Sequence, residues 1–132
     1  MIVLKKELEG QYDSIKEVYE ILSCILQEEG IIKNKQNLIS SLIQREELGP
    51  VEIMPNFYLP HIKTNEIEDL LIVNVEGFKN NKILFILVPE ENFLSYRECV
   101  IKIIMKLDEK DFIKKMESSE KILKEYLESI QK

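Results

Sequence analysis

Two apolar runs interrupt an otherwise periodic chain: Leu70-Leu71-Ile72-Val73-Asn74-Val75 and Ile83-Leu84-Phe85-Ile86-Leu87-Val88. Both are dense in β-branched residues, too short for a core helix, and bounded by turn formers. They are expected to be central strands covered on both faces. Gly77 and Asn80-Asn81 suit a turn that pairs the two as a hairpin. Pro89 ends the second run.

Elsewhere the apolar positions recur with helical spacing. Ile15, Val18, Tyr19, Leu22, Ile25 and Leu26 fall on one face of a helix that ends near Glu29, with Gly30 as its stop. Ser14 and Glu17 form an S-x-x-E capping box at its start. A second helix begins near Asn34, buries Leu38, Ile39, Leu42 and Ile43, and closes with Gln44, Arg45 and Glu46 before Gly49-Pro50. After the strands, Ser95 and Glu98 read as another capping box, opening a helix lined by Val100, Ile101, Ile103, Ile104 and Leu107. Asp108 is placed to cap a short helix with Phe112, Ile113 and Met116. The last helix carries Ile122, Leu123, Tyr126, Leu127 and Ile130. At the N-terminus, Ile2-Val3-Leu4 reads as a short strand or an apolar arm.

The stretch from Val51 to Pro60 has no helical period. Phe57 and Leu59 alternate with Asn56 and Tyr58, which suits a short strand. Pro60 holds Leu59 extended, so His61 should leave that strand in a defined direction, with a polar loop following from Lys63 to Asp69. Helices at both ends around a few central strands make an α/β sandwich, expected to be a single domain over residues 1–132.

Composition narrows the classes. The chain is 45% apolar and 32% charged, the balance of a folded globular protein. Its net charge of −6 argues against a nucleic-acid partner, which needs clustered positive charge. The longest apolar run, Ile83 to Pro89, is far short of the roughly 20 residues of a membrane helix. No direct membrane insertion is expected. MIVLKKELEG lacks the features of a signal peptide, which points to the cytoplasm. Cys24 and Cys99 are expected to be buried free thiols in helices. With one histidine and two distant cysteines, no metal-ligand spacing exists.

Familiar catalytic motifs are missing: there is no GxSxG elbow, P-loop or GxGxxG. His61, the only histidine, is the one candidate nucleophile, and it follows Arg45 by sixteen residues. A neutral imidazole nitrogen can accept a phosphoryl group, and a guanidinium can hold the charge it brings through two parallel hydrogen bonds. On residue types alone the bland reading is stronger. A lone histidine after a proline is more often a solvated surface residue, and Arg45 in the last turn of a helix suits the helix dipole without any ligand.

The surrounding pattern resembles the enzyme IIA domains of the fructose/mannitol type in the bacterial sugar phosphotransferase system. That family runs L-x-x-R-E, a Gly-rich turn, then I-x-I-P-H. Leu42, Arg45 and Glu46 match the first part, and Phe57, Leu59, Pro60 and His61 the second. Ile83 to Pro89, the stretch Asp108-Glu109-Lys110-Asp111-Phe112, and Met116 to Glu120 resemble later family segments in the same order. The resemblance implies a small central mixed sheet flanked by helices and a phosphoryl relay without a cofactor. His61 would take phosphate on Nε2 from the phosphocarrier protein HPr, with Arg45 beside it, and hand it to a cysteine of an enzyme IIB protein or domain. The family's second histidine falls on Tyr96, which becomes the implied supporting donor. Where the family has its glycines this chain has Pro50-Val51-Glu52-Ile53-Met54-Pro55-Asn56, and Glu52 would repel a nearby phosphoryl group. Two alternatives stand beside this reading. One is an enzyme IIA-like regulatory or interaction domain without catalysis, whose partner would be a transcription regulator or a transporter subunit. The other is an unrelated small α/β protein whose His61 is incidental.

Overall fold

The computed structural model describes all residues from Met1 to Lys132. In chain order the elements are β1 (Ile2–Glu7), α1 (Ile15–Glu28), α2 (Lys35–Glu47), β2 (Glu52–Met54), β3 (Phe57–Tyr58) and β4 (His61–Thr64). β5 (Leu71–Glu76), β6 (Lys82–Pro89), α3 (Phe93–Ile104), α4 (Lys110–Met116) and α5 (Glu120–Ser129) follow. The six strands form one mixed sheet. β5 and β6 make the expected antiparallel hairpin, with Leu71 opposite Leu87 and Val75 opposite Ile83. β1 runs parallel to β5 on one side, while β3 and β4 both run parallel to β6 on the other.

Strand alternation explains why the central runs are apolar throughout. Leu71, Val73, Val75, Ile83, Phe85 and Leu87 face one core with Val18, Tyr19, Leu22, Leu26, Leu38 and Leu42 of α1 and α2. The alternate residues Leu70, Ile72, Leu84, Ile86 and Val88 face a second core with Ile103, Phe112, Met116, Leu123 and Leu127 of α3, α4 and α5. Asn74 is the polar exception in β5. It is buried, and its Nδ2 donates to the Met116 carbonyl at 2.6 Å, tying the α4 end to the sheet.

Capping follows the sequence in the first half. The Ser14 side chain accepts from the Glu17 amide at 3.4 Å, and Asn34 accepts from Gln36 and Asn37 at the start of α2. The Glu17 carboxylate reaches the Asp13 amide, one residue ahead of the cap. In the second half two expectations give way. α3 begins at Phe93 behind Asn92, so Ser95 lies inside the first turn and its hydroxyl donates to the Asn92 carbonyl. That earlier start lets Phe93 pack against the second core. α4 is preceded by Glu109, without any side-chain cap, and Asp108 lies outside it. Ile101 and Ile104, expected on the buried face of α3, are 44% and 38% exposed, while Val100 and Ile103 face inward.

The cysteines are free but only partly buried. The Cys24 thiol lies 3.4 Å from the Glu28 carboxylate, within hydrogen-bond reach for sulfur. Burial is the main cause pushing the Cys99 thiol above its usual range. No helix is long and apolar enough to cross a membrane.

Candidate functional site

His61 does not leave a strand for a loop. It opens a strand of its own, β4, paired with Ile86 near the middle of β6. Leu59 and Pro60 form the break that makes this possible. The Leu59 amide donates to Val51, Pro60 has no amide to offer, and its carbonyl accepts from Ile86. The ladder continues to Thr64, whose carbonyl accepts from Glu90. In a parallel ladder this phase turns the backbone of Pro60, Ile62 and Thr64 toward β6, so the amides of His61 and Lys63 face outward. β4 pairs with β6 alone, and its outer edge is open.

The segment that replaces the Gly-rich turn is a hairpin. Glu52–Met54 pairs antiparallel with Phe57–Tyr58 across Pro55 and Asn56. Asn56 has φ 65°, the left-handed conformation that asparagine tolerates best after glycine, and Pro55 before it suits a type II turn. The Glu52 carboxylate accepts from the Asn56 amide and is not among the residues lining the cleft described next. The Glu52 carboxylate is thus engaged within its own hairpin and is not part of the cleft wall.

Along the open edge lies a cleft of about 820 Å³ between the end of α2 and the start of α3. His61 and Arg45 both line it. The His61 ring is fixed by its Nδ1, which lies 2.9 Å from the Leu59 carbonyl oxygen. A carbonyl can only accept, so Nδ1 carries the hydrogen, and in the neutral ring Nε2 keeps the lone pair. Arg45 uses Nη1 to donate to the Gly49 carbonyl at 3.2 Å, closing the C-terminal end of α2. Its remaining N–H groups make no other hydrogen bond within the protein. The helix-end role and a ligand role are thus compatible in one side chain.

Glu46, next to Arg45, is held by a side chain of α1. The Tyr19 hydroxyl donates to the Glu46 carboxylate at 2.9 Å. Burial, then the hydrogen bond and charge of Glu46, push the Tyr19 phenol far above its usual range, while Arg45 pulls weakly the other way. Tyr19 is therefore a permanent donor that anchors the last turn of α2.

Tyr96 is not among the cleft-lining residues. Its hydroxyl donates to Asp69 at 3.2 Å, beside the N-terminal amine. Burial and the charge of Asp69 raise its pKa. The shift of α3 that starts the helix at Phe93 brings Phe93 and Val100 to the cleft instead. Sequence reasoning assigned Lys63 to a loop, yet it lines the cleft with Nζ 4.1 Å from the centre of the Phe93 ring. The signal available was its i,i+2 spacing from His61, which only acquires meaning once β4 is a strand. Glu47 and Glu90 are the acidic members of the cleft. Nowhere do three or more His, Cys, Asp or Glu side chains converge as a metal site would need.

The sequence and the fold are similar to those of known proteins. Residues 4–130 match the family model described as phosphoenolpyruvate-dependent sugar phosphotransferase system, EIIA 2. Among curated proteins, no sequence matches significantly. The fold is similar to nitrogen regulatory protein IIA-Ntr from Neisseria meningitidis, with TM-score 0.68 and 18% identity over 98% of this chain and 96% of that one. It is also similar to IIA mannitol from Escherichia coli, with TM-score 0.58 and 14% identity over 92% and 94%. A further likeness is to the complex of enzyme IIA mannitol with phosphorylated enzyme IIB mannitol from the same organism, with TM-score 0.62 and 13% identity over 94% of each chain. The chain belongs to the EIIA 2 family of the phosphoenolpyruvate-dependent sugar phosphotransferase system.

Proposed function

We propose that this member of the family is a phosphoryl carrier that accepts phosphate from HPr on Nε2 of His61 and passes it to a cysteine of an enzyme IIB protein or domain. The observation that carries the reading is the Nδ1–H to Leu59 carbonyl bond, which leaves Nε2 as a nucleophile in a cleft shared with Arg45. The Nε2 lone pair attacks phosphorus. The N–P bond of the donor's phosphohistidine breaks, and its electron pair stays on the donor ring. The His61 ring becomes cationic as the bond forms, and the Leu59 carbonyl stabilises the Nδ1 proton that carries that charge. In the second step a thiolate sulfur forms the S–P bond and the Nε2–P pair returns to a neutral ring. Arg45 is the proposed clamp on the phosphoryl oxygens. The relay uses no cofactor and is proposed to operate in the cytoplasm.

Incubation with phosphoenolpyruvate, enzyme I and HPr should place one acid-labile phosphate on wild-type protein and none on His61→Ala. Wild type that stays unlabelled, while a control enzyme IIA is labelled in the same mixture, would sink the reading.

A regulatory role is the second reading. It is favoured by the likeness to a nitrogen regulatory protein and by the apolar side chains exposed near the cleft and along α3, Leu48 at 84% and Leu94 at 74%. Binding of a transcription regulator or transporter subunit, undiminished in His61→Ala, would favour it over the relay.

A further inference from the structure

We infer that Lys63 is a second phosphoryl-holding cation of the His61 site; this rests on the carrier reading above. Ile62, partly buried, packs against the core on the α1 and α2 side, and strand alternation turns its neighbours His61 and Lys63 to the other face of β4, all three lining the cleft. Two residues along a strand are about 7 Å apart, and a lysine stem spans that distance to a group bound on the neighbouring Nε2. Lys63 is held in place for it. Its ammonium rests over the Phe93 ring at 4.1 Å, which fixes the side chain on the cleft wall while leaving its N–H groups unspent.

Lys5, Lys6, Lys82, Lys102 and Lys106 pair with a carboxylate, whereas most of the other lysines do not. Lys63 makes no ion pair, although Glu47 and Glu90 line the same cleft. Arg45 has already committed one N–H to Gly49. Lys63 is thus the cleft cation with no polar partner of its own. A phosphoryl group on His61 supplies that partner within the cleft that Lys63 shares with Arg45, and an aromatic face gives up an ammonium to a doubly charged oxyanion readily.

Phosphoramidate, a small donor that needs no protein partner, separates this role from docking. Its P–N bond breaks as the bond from phosphorus to Nε2 forms, and the nitrogen leaves as ammonia. Transfer to Lys63→Met and Lys63→Gln should be slowed roughly ten-fold, with Lys63→Arg close to wild type. The phosphorus resonance, followed against pH, should show the phosphoryl group of Lys63→Met losing its last proton at higher pH, by about half a unit or more, because a nearby cation favours the dianion. A merely structural lysine moves neither readout. Equal rates and equal titration in Lys63→Met and wild type, with unchanged thermal midpoints, overturn the proposal. Wild type that gains no phosphorus signal at all overturns the carrier reading and this one with it, so the two failures are told apart.

Discussion

The two edges of the sheet are treated in opposite ways. At the β1 edge several backbone and charged groups have side-chain or terminal partners. The Lys5 amide donates to the Glu120 carboxylate, Lys5 Nζ reaches Ser118 and Glu76, and Lys6 pairs with Glu29. The N-terminal amine holds Asp69 at 3.0 Å. α5 packs alongside and completes the cover. At the β4 edge the outward amides of His61 and Lys63 have no strand beside them, and the ammonium of Lys63 lies on a ring. An unpaired edge invites other chains, and proteins usually blunt it. Here one edge is blunted by side chains and the other is kept open for a reacting partner, with a lysine as its guard. Stability should therefore respond to changes at the β1 side, and transfer to changes at the β4 side.

His61→Ala tests that division most severely. It should remove all acid-labile phosphate yet lower the unfolding free energy measured in urea by no more than ~0.5 kcal/mol, since the ring is half-exposed on an edge strand. A large loss of stability would mean the open edge carries structure after all. The Lys63 series comes next, with its roughly ten-fold effect on transfer and no effect on folding.

Gly77→Ala should do the reverse. Gly77 has φ 98°, and a Cβ there would stand 2.5 Å from the Leu8 backbone oxygen, where the chain leaves β1. The Leu8 amide donates to the Glu76 carbonyl at 2.8 Å, so that backbone cannot retreat without opening the ladder. A loss of ~2–4 kcal/mol is expected from strain and the lost pairing. Label on His61 should be normal at temperatures where the variant is folded. A variant as stable as wild type would show that the β1 end is looser than its contacts imply.

How much of this was visible in the sequence depends on the distance over which each feature is determined. The β5 and β6 runs, the α1 and α2 faces and the Ser14 and Asn34 caps are local, and their residues settle them. The parallel match of Ile2 to Leu71 is not local, and a three-residue apolar arm gives no sign of it. β4 was hidden because His61-Ile62-Lys63-Thr64 is an edge strand with one apolar residue facing the core, too little to show alternation. Missing β4 as a strand hid Lys63 as well. Tyr96 was reached through the resemblance alone, by counting back from Phe112, and its hydroxyl bonds Asp69 instead of lining the cleft. His61 and Arg45 were found through spacing and resemblance, while their lining of one cleft depends on the chain between them pairing beside β6 in the sheet.

Tyr19→Phe links the two regimes at smaller scale. It removes the hydroxyl that anchors Glu46 under the last turn of α2, a bond from a fully buried ring. The expected loss is ~1 kcal/mol, because Glu46 is partly exposed and water can replace the donor. Transfer should fall slightly through Arg45, whose turn loosens. Unchanged stability would show that the aromatic packing of Tyr19 on Phe85 is its whole contribution.

The smallest effect belongs to Asp69 at the closed edge. Burial works to raise its pKa, yet the hydrogen bond from the N-terminal amine, the Leu70 amide, the amine's charge and the Tyr96 hydroxyl together hold it below the usual carboxylate range. A carboxyl whose pKa is lower in the folded than the unfolded chain stabilises fully above the unfolded value of about 3.9. That contribution is lost as pH falls through the folded value. Asp69→Asn should therefore be less stable than wild type at neutral pH, by well under ~1 kcal/mol because the carboxylate is 42% exposed and screened. The gap should narrow only below about pH 4. Urea titrations of both proteins from neutral to acid pH measure it directly. A gap that persists undiminished into acid would mean that Asp69 acts through its shape and hydrogen bonds alone, and that the closure of the β1 edge owes nothing to its charge.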